Sequence, residues 1–156
     1  MKWNSAKDLM TADVQTVDAS WPIDRVAQFL TDHGISGAPV VKDDQLVGVV
    51  SLTDIARYNG TAGEPASDRP ASFYRSELET EYAEEDLENL QISDGGETTV
   101  EHVMTPQVYD VSEHTSIQQV AQVMHRGGIH RVFVTTKGEV RGVITALDML
   151  EVVAEM

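Results

Sequence analysis

The sequence predicts an α/β (α+β) protein made of two strand-helix-strand-strand-helix repeats packed through their sheets. Three observations carry that expectation. Residues 8–54 match residues 102–148 at a fixed offset of 94 without a gap, the apolar spacing inside each copy switches between the helical and the strand period, and an acidic stretch separates the copies.

The repeat is dense. Met10, Thr11, Val14 and Val17 return as Met104, Thr105, Val108 and Val111, and Ile23, Val26, Ala27 and Gln28 as Ile117, Val120, Ala121 and Gln122. Gly34-Ile35 returns as Gly128-Ile129, Val40 as Val134, Gly48-Val49 as Gly142-Val143 and Asp54 as Asp148. A long ungapped match at one offset marks a duplication.

Each copy reads as one supersecondary unit. A short strand is expected around Val14–Val17. Ile23, Val26, Ala27 and Leu30 then follow helical spacing, with Pro22 suited to a first turn and Gly34 to the stop. In the second copy Thr115 and Gln118 have the spacing of a capping box, Ile117, Val120, Ala121 and Met124 form the stripe, and Gly128 ends it. Two strands joined by a tight polar turn follow, "APVV-KDDQ-LVGVVS" and "RVFV-TTKGE-VRGVIT", and then a helix starting at Leu52 or Ala146. A unit of this size buries too little surface to be comfortable alone, so the two copies are expected to share a core.

Composition narrows the function. At 156 residues and 41% hydrophobic content the chain suits a globular fold, and no apolar run approaches a membrane span or a secretory signal, which predicts a cytoplasmic protein. With no cysteine there is no disulfide, thiolate nucleophile or cysteine-based zinc site. A net charge of −15 argues against nucleic acid and anionic membrane partners. The charge concentrates in the middle. Residues 59–98 carry eleven acids against two bases, whereas the flanking parts, 1–58 and 99–156, each have a net charge of −3. The middle opens with the linker-like "NGTAGEPASDRPAS" and continues with Tyr74, Leu78, Tyr82, Ala83, Leu87 and Leu90 at helical spacing, a solvated charged helix or one that docks on the domain or a partner. The expected division is a first repeat at 1–58, an acidic insert at 59–98 and a second repeat at 99–156.

At this point the residues carry a family resemblance. The openings "DLMT" and "HVMTP", the middles "HGISGAPVV" and "GGIHRVFV", and the closings "LVGVVSLTDI" and "VRGVITALDM" resemble a tandem pair of CBS domains, a Bateman module. The resemblance covers nearly all of the chain except the insert. It implies a regulatory module, not an enzyme, that needs no cofactor and binds AMP, ADP, ATP or S-adenosylmethionine in clefts between the repeats. It also implies a flat homodimer and an effector protein that the sequence does not name.

The chemistry of the motifs can be argued beside that resemblance. Ser51 and Thr145 stand where a strand yields to a helix, where free N–H groups and the positive helix end suit a phosphate. Asp54 and Asp148, one turn on, offer two oxygens to the hydroxyls of a ribose. Ser-x-x-Asp and Thr-x-x-Asp are also ordinary helix caps, and capping and binding can coexist. A carboxylate near a phosphate repels it, so a cation is needed. Copy two has His130-Arg131 where copy one has Ser36-Gly37. In similar modules the His-Arg pair contacts ligand phosphates; the plainer alternative pairs Arg131 with a surface acid and leaves His130 at the strand entry. Copy one is then open to weak binding, to an uncharged nucleoside, to borrowing Arg131, or to staying empty. Thr16 and Asp110, after the first strand of each copy, are candidate neighbours of an adenine edge.

Other constellations fail. His125 and His130 straddle a Gly-Gly break, no "GxSxG" is present, and "GISGAP" has neither the length nor the spacing of a dinucleotide or phosphate loop, so no catalytic or metal residue is named. Met10, Met104, Met124 and Met149 read as core. Val26, Phe29, Leu30, Val123, Met149, Val152 and Val153 exceed what one thin sheet layer needs, which predicts a homodimer through the helices. The competing reading is a ligand-independent scaffold whose acidic insert contacts a partner or divalent cations.

Overall fold

A computed structural model of the chain describes residues 2–58 and 98–156. The helical stripe expected at Tyr74–Leu90 lies outside the described residues. Two compact units emerge, and neither coincides with a sequence repeat.

The first unit holds residues 15–58 and 98–108. Its elements are β1 (Val17–Asp18), α2 (Ile23–His33), β2 (Gly37–Lys42), β3 (Gln45–Ser51), α3 (Leu52–Tyr58) and a 3-10 turn (Val100–His102). The second holds residues 2–14 and 109–156. Its elements are α1 (Ala6–Leu9), β4 (Asp110–Ser112), α4 (Ile117–Gly127), β5 (Arg131–Thr136), β6 (Glu139–Thr145) and α5 (Ala146–Ala154). Each unit is an α+β layer with one three-stranded sheet, in the order β1-β2-β3 or β4-β5-β6, the first pair parallel and the second antiparallel.

Local chemistry explains the elements. Pro22 opens α2 in an extended conformation, where its missing N–H costs nothing, and Gly34 closes it at φ 64°. Ile23, Val26, Ala27 and Leu30 line the buried face, with Asp24, Arg25, Gln28 and Asp32 outside. In α4 the capping box is formed by Ser116 and Gln119, one residue later than the spacing suggested. Thr115 is taken by the preceding turn instead, where its hydroxyl accepts the Ser112 N–H at 3.1 Å. Both hairpins turn through two residues of positive φ, Asp43-Asp44 and Lys137-Gly138, as the twist of the flanking strands demands. The first strand begins later than expected, at Val17, because Asp13 has a left-handed backbone (φ 62°) and Val17 is the residue that pairs with Val40.

The segment leading into each repeat packs on the other repeat's sheet. Thr11 exchanges both backbone hydrogen bonds with Val143, at 2.9 and 3.0 Å, and 94 residues on Thr105 does the same with Val49, at 2.9 and 2.8 Å. Ala6 N–H reaches Thr115 O at 2.8 Å, and Val100 N–H reaches Trp21 O at 2.8 Å. The exchange needs room. A Cβ at Gly48 would lie 2.7 Å from Thr105 O, and one at Gly142 would lie 2.7 Å from Met10 Sδ and 2.8 Å from Thr11 O. The two strand glycines therefore exist for a backbone that crosses them.

The first unit's core gathers Val17, Ile23, Val26, Leu30, Val40, Val50, Ile55 and Val100. In the second, Trp3, Leu9, Val120, Met124, Val132, Val134, Ile144 and Val152 are buried. Val26, Leu30 and Val152 are thus spent inside the chain, which corrects their listing among residues left over for a partner. What α5 does leave outside is Leu147, Leu150 and Val153, at 48%, 60% and 62% exposure, joined by Val123 of α4. Among the described residues no helix is long and apolar enough to cross a membrane.

Candidate functional site

The second unit assembles most of the candidate residues. The register of β5 and β6 sets Arg131 opposite Thr145. One residue back, His130 O accepts the Ala146 N–H at 2.9 Å, which ties the strand entry to the first turn of α5. There Thr145 and Asp148 form a capping box: Thr145 N–H donates to Asp148 Oδ2 at 2.8 Å, and Asp148 N–H to Thr145 Oγ1 at 3.3 Å. Three of the four N–H groups of residues 145–148 are taken by the chain itself. A phosphate here would depend on side chains more than on the helix start.

Two atoms stand without a partner among the described residues, one on Asp148 and one on His130. Asp148 is half-buried, and its Oδ1 accepts no hydrogen bond among the described residues. His130 Nδ1 is buried without a hydrogen-bond partner among them, a state that ordinarily costs free energy. Arg131 is half-buried. Asp110 begins β4, in register with Phe133, and is exposed. Its Oδ2 accepts the Thr135 hydroxyl at 2.6 Å, rather than any bond from His130, Arg131 or Thr145.

The first unit repeats the scaffold with different chemistry. Gly37 stands opposite Ser51, and Leu52 N–H donates to Ser36 O at 2.9 Å. Ser51 N–H donates to Asp54 Oδ2 at 2.9 Å, and Asp54 N–H to Ser51 Oγ at 3.2 Å. Asp54 is more enclosed than Asp148, 6% exposed, and its Oδ1 accepts the Thr105 hydroxyl at 3.3 Å. Thr11, the counterpart of Thr105, is exposed and makes no such bond to Asp148. Thr16 precedes β1, half-buried, and no hydrogen bond joins it to Ser51 or Asp54. No group of three or more metal-ligating side chains gathers among the described residues.

Two participants escape a reading of motifs. Thr105 looks like part of a shared "MT" opening, yet it bonds the carboxylate of only one unit. Thr135 sits in a strand where the matching residue of the first copy is Val41, and a hydroxyl at that position of the second copy alone was the signal in the sequence.

Comparison with known proteins places these units. A family model for the CBS domain matches residues 6–60 and 100–155. The uncharacterized protein MJ1426 of Methanocaldococcus jannaschii is 30% identical over 93% of this chain and 88% of its own length. MJ1232 of the same organism is 25% identical over 94% of this chain, which spans 38% of that longer protein. Among solved structures, CBSX2 in complex with AMP superposes with a TM-score of 0.65 at 22% identity, covering 97% of this chain and 96% of that one. With the family model matched twice, in the places where the two sheets form, this chain belongs to the CBS-domain family as a tandem pair.

Proposed function

We propose that the chain is a regulatory module that senses an adenosyl ligand, AMP, ADP, ATP or S-adenosylmethionine, and responds by changing its dimer geometry or a partner's activity, without catalysis of its own. The observation that carries this reading is the contrast between the two units. In the second, a carboxylate with one unengaged oxygen, Asp148, stands one helical turn beyond a strand pair bearing Arg131. In the first, the matching carboxylate is engaged through both oxygens, and Ser36 and Gly37 supply no cation.

The roles follow from charge and geometry. Asp148 accepts from ribose hydroxyls, Arg131 forks onto phosphate oxygens, His130 donates a further bond, and Asp110 meets the base edge. Thr145 holds Asp148 in place. Ser51, Asp54 and Thr16 make the weaker counterpart. The AMP carried by CBSX2, a protein of similar fold, supports the ligand class.

A ligand-independent scaffold is the second reading. It is favoured by the exposed stripe on α5 and by the service of both Ser/Thr-x-x-Asp motifs as caps. Native mass spectrometry of freshly purified protein, followed by calorimetry with AMP, ATP and S-adenosylmethionine, separates the two. Retained nucleotide or saturable binding is expected. Failure of all three ligands to bind at millimolar concentration leaves the scaffold.

A further inference from the structure

Thr135 poses a question that the fold does not answer. It is a hydroxyl buried to 7% exposure in β5, and its matching position in the first unit is Val41, where the same parallel strand pair forms without it. A polar group in that position costs free energy unless bonded, and its one bond goes to Asp110 Oδ2 at 2.6 Å. Asp110 in turn replaces Thr16 of the first copy. Both differences occur in the unit that also carries His130 and Arg131.

We propose that Thr135 is a positioning residue that fixes the Asp110 carboxylate as an acceptor for an amino group on the base edge, so that the second unit selects 6-aminopurines. This rests on the adenosyl-ligand reading above and adds the basis of its selectivity. An exposed aspartate samples several rotamers, and holding one oxygen through Thr135 presents the other, which accepts no bond among the described residues, in a preset direction. The sheet register places Asp110 on β4, two strands away from Thr145 on β6 and about 10 Å across the sheet. That span is comparable to the distance between the base edge and the sugar-phosphate end of a nucleotide. A carboxylate, which only accepts, favours an amino donor there.

Calorimetry on the full chain with adenosine and with purine riboside, which lacks only the 6-amino group, tests this. The wild type is expected to prefer adenosine by at least about tenfold. Thr135→Val should bring the ratio close to one, and Thr135→Ser should restore it, a pattern that a purely structural cross-strand bond would not produce. Thermal melts establish that each variant folds; if Thr135→Val does not, Asp110→Ala takes its place, with the same loss of preference expected. A wild-type ratio near one, or a ratio unchanged in the folded variant, overturns the proposal while leaving adenosyl binding intact. If neither nucleoside binds and AMP also fails, the adenosyl reading falls and this inference with it.

Discussion

Asp54 and Asp148 occupy the same position in two copies of one unit, yet their second oxygens have different fates. Thr105 donates to the first; the second accepts nothing among the described residues. On the proposed function, a ribose hydroxyl would have to displace an internal partner at Asp54 but not at Asp148, which is the basis for expecting tighter binding in the second unit. Asp148→Ala is expected to weaken adenosine, AMP and ATP alike in calorimetry. Because it also removes half of a capping box, the same change should lower stability by about 1 kcal/mol, read separately from a denaturant melt. Arg131→Ala should spare adenosine and cost AMP or ATP about 1.5–3 kcal/mol, the range of a hydrogen bond to a charged group. Asp54→Ala should change titrations with charged ligands much less. If binding survives Asp148→Ala and disappears with Asp54→Ala, the ranking is reversed.

The elements show which physics a sequence reveals. The helices of both copies, their glycine stops, the hairpins and the starts of α3 and α5 were legible because each depends on residues within a few positions. The capping box of α4 was misplaced by one residue because Thr115 and Ser116 are chemically alike and only the β4–α4 turn decides between them. The crossing of the leading segments was not legible at all: an offset of 94 aligns Thr11 with Thr105 whichever sheet each one joins. Gly48 and Gly142 mark that crossing. Gly142→Ala should destabilise the fold by about 1–3 kcal/mol, since its Cβ would meet the Thr11 carbonyl as well as a movable methionine; a wild-type melting curve for this variant would show that the segment is not held there. Acid should loosen the same segment. The N–H groups of Asn4 and Ser5 donate to Asp8 and hold its carboxyl below the ordinary 3.8. A depressed folded value means that this contribution is present above the unfolded pKa and is lost as pH falls through the folded one, so the protection of the Asn4 and Ser5 amides, taken relative to the intrinsic exchange rate at each pH, should fall below about pH 4. Asp8→Asn should remove that pH dependence.

At the level of the whole molecule two features await partners. Leu147, Leu150 and Val153 recur at three-residue spacing along α5, a stripe that fits a helix-to-helix contact between two copies. Sedimentation at micromolar concentration should give a dimer, and Leu150→Glu should return the 17.1 kDa monomer; a wild type that is wholly monomeric refutes the contact. The acidic insert raises the opposite issue, since residues 59–98 hold nine of the fifteen net negative charges. The described residues that border it are joined through their side chains: Tyr58 Oη and Thr98 Oγ1 lie 2.9 Å apart, and both residues belong to the first unit. A short bridge can therefore replace residues 62–94 without moving either end. Shortening the connection also lowers the entropy cost of closing it, by roughly 1–2 kcal/mol for a several-fold reduction in length. Exposed like charges repel, and salt screens that repulsion. The deletion should accordingly keep a cooperative thermal transition at an equal or higher temperature and flatten its dependence on sodium chloride and on divalent cations. Loss of the cooperative transition would instead assign the insert to the core, and an unchanged salt dependence would move the source of that sensitivity to the acids of the two units.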